Sequence, residues 1–236
     1  MLRCSHVLCR VEDIGSTVSS FTDLGFSMEW GSVPGKAHNA FIWFAEGPFI
    51  EFFEFPSSLE RLRWPVSAAF GRGMGDRLAK WAADGDGWRD VALETEDTDL
   101  TDTRARLKAG GLVVSRRFRN SRTRPDGRRV RYQLVAPSPA ALPFVVSAYD
   151  PPQRPEAITH ANGATGVTAV HFGLRPEHLP DYDRLVGPDP WLRPRVSAVT
   201  GVLEVELAGL ATSLDPASTC GAALVPARPV QKQEPR

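Results

Sequence analysis

The sequence predicts an α+β fold of tandem βαβββ units with their sheets curled around a cleft, plus a partial third unit. Three observations predict it. HVLCRVED at residues 6–13 and DVALETED at 90–97 are apolar-rich, strand-like and end alike on Glu-Asp. A helical stretch follows each and closes on glycine, at Gly25 and at Gly110-Gly111, where the chain must turn out of a helix. Three more strand-like segments follow each helix, so the internal repeat reads strand–helix–strand–strand–strand.

In the first unit, residues 1–56, the helix IGSTVSSFTDLGF has Ser16 or Thr17 as its capping residue. FSMEWGS, NAFIWFAEG and FIEFFEF are the later strands, the first two parted by a Pro-Gly turn. Residues 57–86 connect the units through loops and a helix at RLAKWAADG. Within them Gly71-Arg72-Gly73-Met74-Gly75 reads as a flexible loop. No strand–turn–helix fingerprint makes it a phosphate cradle, so no nucleotide cofactor is expected. The second unit, 87–150, has a helix capped by Asp97 or Thr98 and the strands LVVSRRFRN, RRVRYQLVA and PFVVSAYD. Pro125-Asp126-Gly127 makes its hairpin turn and Pro137-Ser138-Pro139 the next break. The partial third unit, 151–210, supplies the strand TAVHFGLRP, the helix EHLPDYDRLVG and the strands VSAVTG and VLEVELAG. Residues 211–236, with little periodicity, are expected to form a disordered tail.

Composition narrows the partners. The 236 residues carry 28 basic and 28 acidic side chains, so no global field draws the protein to nucleic acid or to a membrane. No apolar run approaches the roughly 18 residues that span a bilayer. The N-terminal MLRCSHVLCRVED reaches charged residues too soon for a signal peptide. Cys4 and Cys9 fall on one strand, with side chains expected on opposite faces, and Cys220 is remote. An odd, unpatterned cysteine count suits a reducing compartment, and the expected location is cytoplasmic.

Taken in order, SHVLCRVED, AHNAFIWF, FIEFFEF and HANGATGV resemble the vicinal-oxygen-chelate superfamily in its glyoxalase-like branch, over about residues 3–210. The resemblance implies a divalent metal (Fe, Mn, Ni or Zn) at the base of the cleft, held by the first and last strands of the units. His6 and Glu51 stand at the matching positions of the first unit. Imidazole and carboxylate suit such ions, which polarise substrate oxygens as Lewis acids. Glu51 and Glu54 lie an odd spacing apart and so on opposite faces. The second unit carries Asp90 and Val146 at the corresponding places, and valine cannot ligate.

His38 and Asp90 are then the candidates to position or deprotonate substrate, and Asn39 a candidate contact. Trp43 belongs to an aromatic run whose alternate members would wall an apolar pocket. Eight arginines lie between Arg116 and Arg131. Arg129 and Arg131 share one strand face, opposite Val130 and Tyr132, and would bind an anionic ligand if that face meets the cleft; a solvated hairpin is the other reading. His160 reads as a loop residue bonded to backbone, His171 as a sheet-face residue and His178 as exposed. Two functions stay open. One is metal-assisted lyase, isomerase or dioxygenase-type chemistry on a small oxygenated molecule. The other is metal-free binding that sequesters such a compound. A homodimer is compatible with either.

Overall fold

The computed structural model describes residues 1–228. Strand β1 (Arg3–Arg10) is buried along almost its whole length, as its apolar composition requires. Helix α1 (Ile14–Asp23) follows, turning Ile14, Thr17 and Phe21 inward. Its cap is Asp13, whose Oδ1 accepts the Ser16 N–H at 2.6 Å, while the Thr17 hydroxyl bonds back to the Asp13 carbonyl. The acidic residue one step ahead of the helix takes the role expected of Ser16 or Thr17. Strands β2 (Met28–Trp30), β3 (Asn39–Ile42) and β4 (Phe49–Phe53) complete the first unit.

The second unit repeats the order with β5 (Gly87–Glu94), α4 (Thr101–Ala109), β6 (Val113–Val114), β7 (Phe118–Thr123), β8 (Arg129–Val135), β9 (Pro137–Ser138) and β10 (Phe144–Val146). One departure is local: β6 pairs with β9 in a small separate sheet, so LVVSRRFRN divides and the main strand starts at Phe118. The large sheet has eight strands in the order β2-β3-β4-β1-β5-β10-β8-β7. Its halves mirror each other about the antiparallel β1–β5 pair, with β4 parallel to β1 and β10 parallel to β5. This curled sheet is a half-barrel with an outer face under helices and an inner face toward the cleft.

A bulge in the β1–β5 pairing between Cys4 and His6 changes the alternation of β1. Cys4 and Cys9 therefore both face the outer apolar layer, where opposite faces were expected, and all three cysteines are free thiols. That layer is continuous, joining Val7, Phe21 and Phe52 to Leu107, Val170 and Leu207. It is shared with a second sheet, β12-β11-β13-β14, built from β11 (Gly166–Leu174), β12 (Leu192–Val196), β13 (Gly201–Ala208) and β14 (Leu224–Pro226). Helix α5 (Leu179–Leu185) lies between β11 and β12. Because β14 pairs with β13 and buries Leu224, residues 211–228 are folded where a disordered tail was expected; 229–236 lie outside the described residues.

The connection 57–86 is more helical than its local sequence suggests, with a 3-10 turn at Ser57–Leu62, α2 (Arg63–Phe70) and α3 (Arg72–Ala82). The glycine string is not a loop but the start of α3. A Cβ at Gly73 would overlap the Ala136 carbonyl oxygen, and one at Gly75 the Ser67 side chain on α2. Glycine costs helix stability, and here it permits close approach to α2 and to the backbone where β8 leads into β9. Helix α3 thereby lays Met74 and Trp81 over Ala92, Leu134 and Phe144, filling the inner face of the second unit. No helix among the described residues is long and apolar enough to cross a membrane.

Candidate functional site in the half-barrel

The strand period places His6 of β1 and Glu51 of β4 on the inner face, beside Phe41, Trp43 and Phe49. His6 Nε2 lies 3.4 Å from Glu51 Oε2. The imidazole stacks on Phe49 at 4.5 Å between centroids and is almost wholly buried. Burial lowers its pKa to about 3, partly opposed by the charge of Asp90, so His6 is neutral at ordinary pH. Glu51 reaches the cleft surface, with 18% of its side chain exposed. Burial raises its pKa, opposed by the Asn39 amide, which donates to Oε1 at 2.9 Å, and by the charge of Arg122.

Behind His6 the bonding continues. His6 Nδ1 lies 3.2 Å from Ser5 Oγ, and Ser5 donates to Glu94 Oε2 at 2.5 Å. Burial raises the pKa of Glu94 too, opposed by the Ser5 bond. Glu94 also lines a depression of about 220 Å³ with Ser5, Arg154 and Trp191. Glu51, His6, Ser5 and Glu94 thus form one chain of polar groups through the sheet.

Across the opening, Arg122 of β7 stacks on Phe41 at 4.6 Å and donates to the Gly31 carbonyl and to Gln153. Burial pushes the Tyr132 hydroxyl up to about 12, with the Glu51 charge adding to it, and Tyr149 packs on Tyr132 at 5.2 Å.

A glyoxalase-like domain matches residues 4–181. The chain belongs to the glyoxalase-like domain family. Its fold is that of the vicinal-oxygen-chelate superfamily. A hypothetical protein from Staphylococcus aureus superposes with a TM-score of 0.66 at 12% identity, covering 95% of this chain and 98% of that one. The Mn(II)-bound glyoxalase from Novosphingobium aromaticivorans gives 0.53 at 13% identity, over 89% and 67% of the two chains. The 2,3-dioxygenase LapB from Pseudomonas sp. KL28 gives 0.50 at 9%, over 87% and 74%. At these identities the likeness is one of fold. No protein of curated function matches the chain in sequence.

The glyoxalase-like protein carries part of the donor set that a resident metal needs. Two donors about 2.1 Å from one tetrahedral ion stand roughly 3.4 Å apart, which His6 and Glu51 satisfy. Among the described residues no third histidine, cysteine, aspartate or glutamate joins them. Asp90 is committed elsewhere: Arg77 Nη1 pairs with Oδ2, Lys80 Nζ with Oδ1 at 3.1 Å, and Trp81 Nε1 donates at 2.8 Å. Burial alone would raise its pKa, but the charges of Arg77 and Lys80 hold it below the usual range. A tightly held metal centre does not fit two protein donors.

The other predicted residues separate clearly. His38 has an 81% exposed side chain and pairs with Glu54 at 3.5 Å. Glu54 also accepts the Ile14 N–H, so this pair belongs with α1 and not with Glu51. Asn39 touches Glu51 directly, and Trp43 is a buried wall residue packed on Phe49. Arg129 and Arg131 face away from the cleft, because Arg122 and Asn120, paired with Val130 and Tyr132, take the inner side of the hairpin. His160 is a buried loop residue, accepting from Ser27 N and bonding the Trp43 carbonyl.

Arg122 was legible in principle. The Pro125-Asp126-Gly127 turn sets it opposite Val130, on the face of the apolar residues. Ser5 and Glu94 were not, because the bulge that aligns them leaves no periodic signal.

Proposed function

We propose that the cleft binds a small oxygenated organic molecule and that Glu51 exchanges a proton with it, relayed through His6 and Ser5 to Glu94. The observation that carries this reading is the Glu51–His6–Ser5–Glu94 chain, a 3.4 Å contact between Glu51 and His6 followed by hydrogen bonds of 3.2 and 2.5 Å. Glu51 is its one member at the cleft surface, and a raised pKa makes a carboxylate a stronger base. The proton leaves a carbon beside a carbonyl, and the electron pair stays on the substrate as an enolate facing Arg122. Glu51 hands the proton to His6 Nε2, Nδ1–H passes to Ser5, and the Ser5 proton passes to Glu94. The imidazole never holds a lasting positive charge, which its burial disfavours. Asn39 fixes the Glu51 rotamer, and Phe41 with Trp43 walls the site.

The test is solvent deuterium exchange at the carbon next to the carbonyl in small α-hydroxy and α-oxo carbonyl compounds, followed by NMR. Wild-type protein should catalyse exchange, and Glu51→Gln should lose about 10²-fold or more. Absence of both exchange and saturable binding across the set would sink the reading.

The 3.4 Å separation of His6 and Glu51 favours a second reading, an exchangeable Fe, Mn, Ni or Zn ion held by these two residues and completed by ligand oxygens. Metal titration with and without bound ligand distinguishes it. Weak stoichiometric binding, lost in His6→Ala and Glu51→Ala, supports it; proteins indifferent to added metal do not.

A further inference from the structure

The outer face of the β7–β8 hairpin carries an arrangement the cleft does not use. Strand alternation puts Arg119 and Ser121 there from β7, opposite Gln133 and Arg131 of β8, with Arg129 two residues along. Among the described residues none of Arg119, Arg129 and Arg131 has a carboxylate within ion-pair distance. Of their hairpin neighbours, Arg117 pairs with Asp99, Arg124 with Glu29 and Asp126, and Arg128 with Asp126, while Arg116 and Arg122 are taken up by carbonyl and amide oxygens. Acidic residues are as numerous as basic ones in this chain, so the unpaired trio does not reflect a shortage of partners.

These guanidiniums line a depression of about 500 Å³, in which Asp150 is the one acidic residue. Arg119 also borders a neighbouring hollow lined by Arg104, Arg116 and Arg117. Arg129 is oriented by Ser121, whose Oγ accepts from Nε at 3.0 Å and Nη2 at 2.8 Å. The Ser121 hydroxyl keeps its own proton to donate. Holding like charges together is unfavourable unless an anion joins them, and guanidinium forks match oxyanions bidentately.

We propose that this face is a binding site for a small molecule bearing two or more oxyanion groups, either a diphosphate or a polycarboxylate, bridged by Arg119, Arg129 and Arg131. Side chains two residues apart on a strand rise about 6.8 Å apart, the reach of two linked oxyanions and not of one. A nucleic acid fits less well. Stacking needs free rings, and the rings here are already packed: Tyr132, which lines the same depression, lies against Tyr149, and Phe118 against Phe70. Glu51 is not among the residues that line this depression.

Isothermal titration of the full chain with pyrophosphate, citrate and inorganic phosphate tests this. Pyrophosphate or citrate should bind one to one, at least tenfold tighter than phosphate. Arg119→Gln and Arg131→Gln should each weaken binding about tenfold or more while keeping the wild-type melting temperature. Arg195→Gln, exposed on β12, removes the same charge elsewhere and should have no effect. Preference for pyrophosphate assigns the phosphate source, and preference for citrate the carboxylate source. Three results overturn the proposal: no saturable binding, equal weakening by Arg195→Gln, or an oligonucleotide affinity that grows with length and exceeds that of pyrophosphate. If either arginine variant melts early, Arg129→Gln gives the same comparison.

Discussion

His6 shows how one buried side chain ties stability to pH. Its pKa falls from 6.5 to about 3 on folding because burial disfavours the charged ring. The unfolded chain therefore binds a proton below pH 6.5 that the folded chain refuses. The contribution is fully present above pH 6.5 and is lost as pH falls toward 3, by at most about 1.4 kcal/mol per pH unit. Urea midpoints at pH 7.5 and 5 should show this slope, and His6→Asn should flatten it. Ser5 acts one step away. Its Oγ receives the Nδ1 proton, so Ser5→Ala should shift the His6 tautomer toward Nε2–H, visible in the ¹⁵N shifts of the ring. At this scale His6 and Glu51 were named from the family resemblance, and the fold brings them within 3.4 Å of each other. Ser5 and Glu94 were not, because a bulge carries no periodicity.

Between elements, α3 is tied to β5 by a buried cluster of charges. Arg77 is fully buried, pairs with Asp90 and donates to the Leu142 carbonyl at 2.7 Å. Arg77→Met should cost about 3–5 kcal/mol by leaving Asp90 short of its principal counter-charge. Arg77→Met with Asp90→Leu should recover much of it, as chemical denaturation would measure. Gly73→Ala should lower stability by about 1–3 kcal/mol, read as a melting shift, since the Ala136 carbonyl is backbone and cannot swing aside. The repeat-bearing strands and helices were legible because period and turn chemistry agree there. The start of α3 was not: its glycines argue for a loop, and only contact with α2 and with the Ala136–Pro137 backbone makes them helical. Asp90 was misread for a related reason. Its sequence position matches His6, but the arginine and lysine that neutralise it arrive from an insertion the repeat does not contain.

For the whole molecule, the continuous outer layer matters most. Residues of the first, second and third units share one large apolar cluster, beside two smaller clusters on the inner face, so the units are joined through their main core. Calorimetry should therefore show one cooperative transition, with calorimetric and van't Hoff enthalpies equal. Two transitions would mean that the units unfold separately. The third unit was legible as strands and a helix, but not its last strand: Leu224–Pro226 is short and proline-bearing, and it is held by long-range contacts, pairing with β13 and burial of Leu224 in the core.

Arg77, Trp81 and Met74 occupy one of two equivalent hollows in a duplicated scaffold. A molecule seated at the remaining hollow meets Glu51 from one side and solvent from the other. Duplication would offer a guest two like mouths related by rotation; stopping one leaves a single doorway. With Glu51 on one side as the proposed base, proton exchange on a planar guest with unlike faces should occur on one face and give a single stereoisomer.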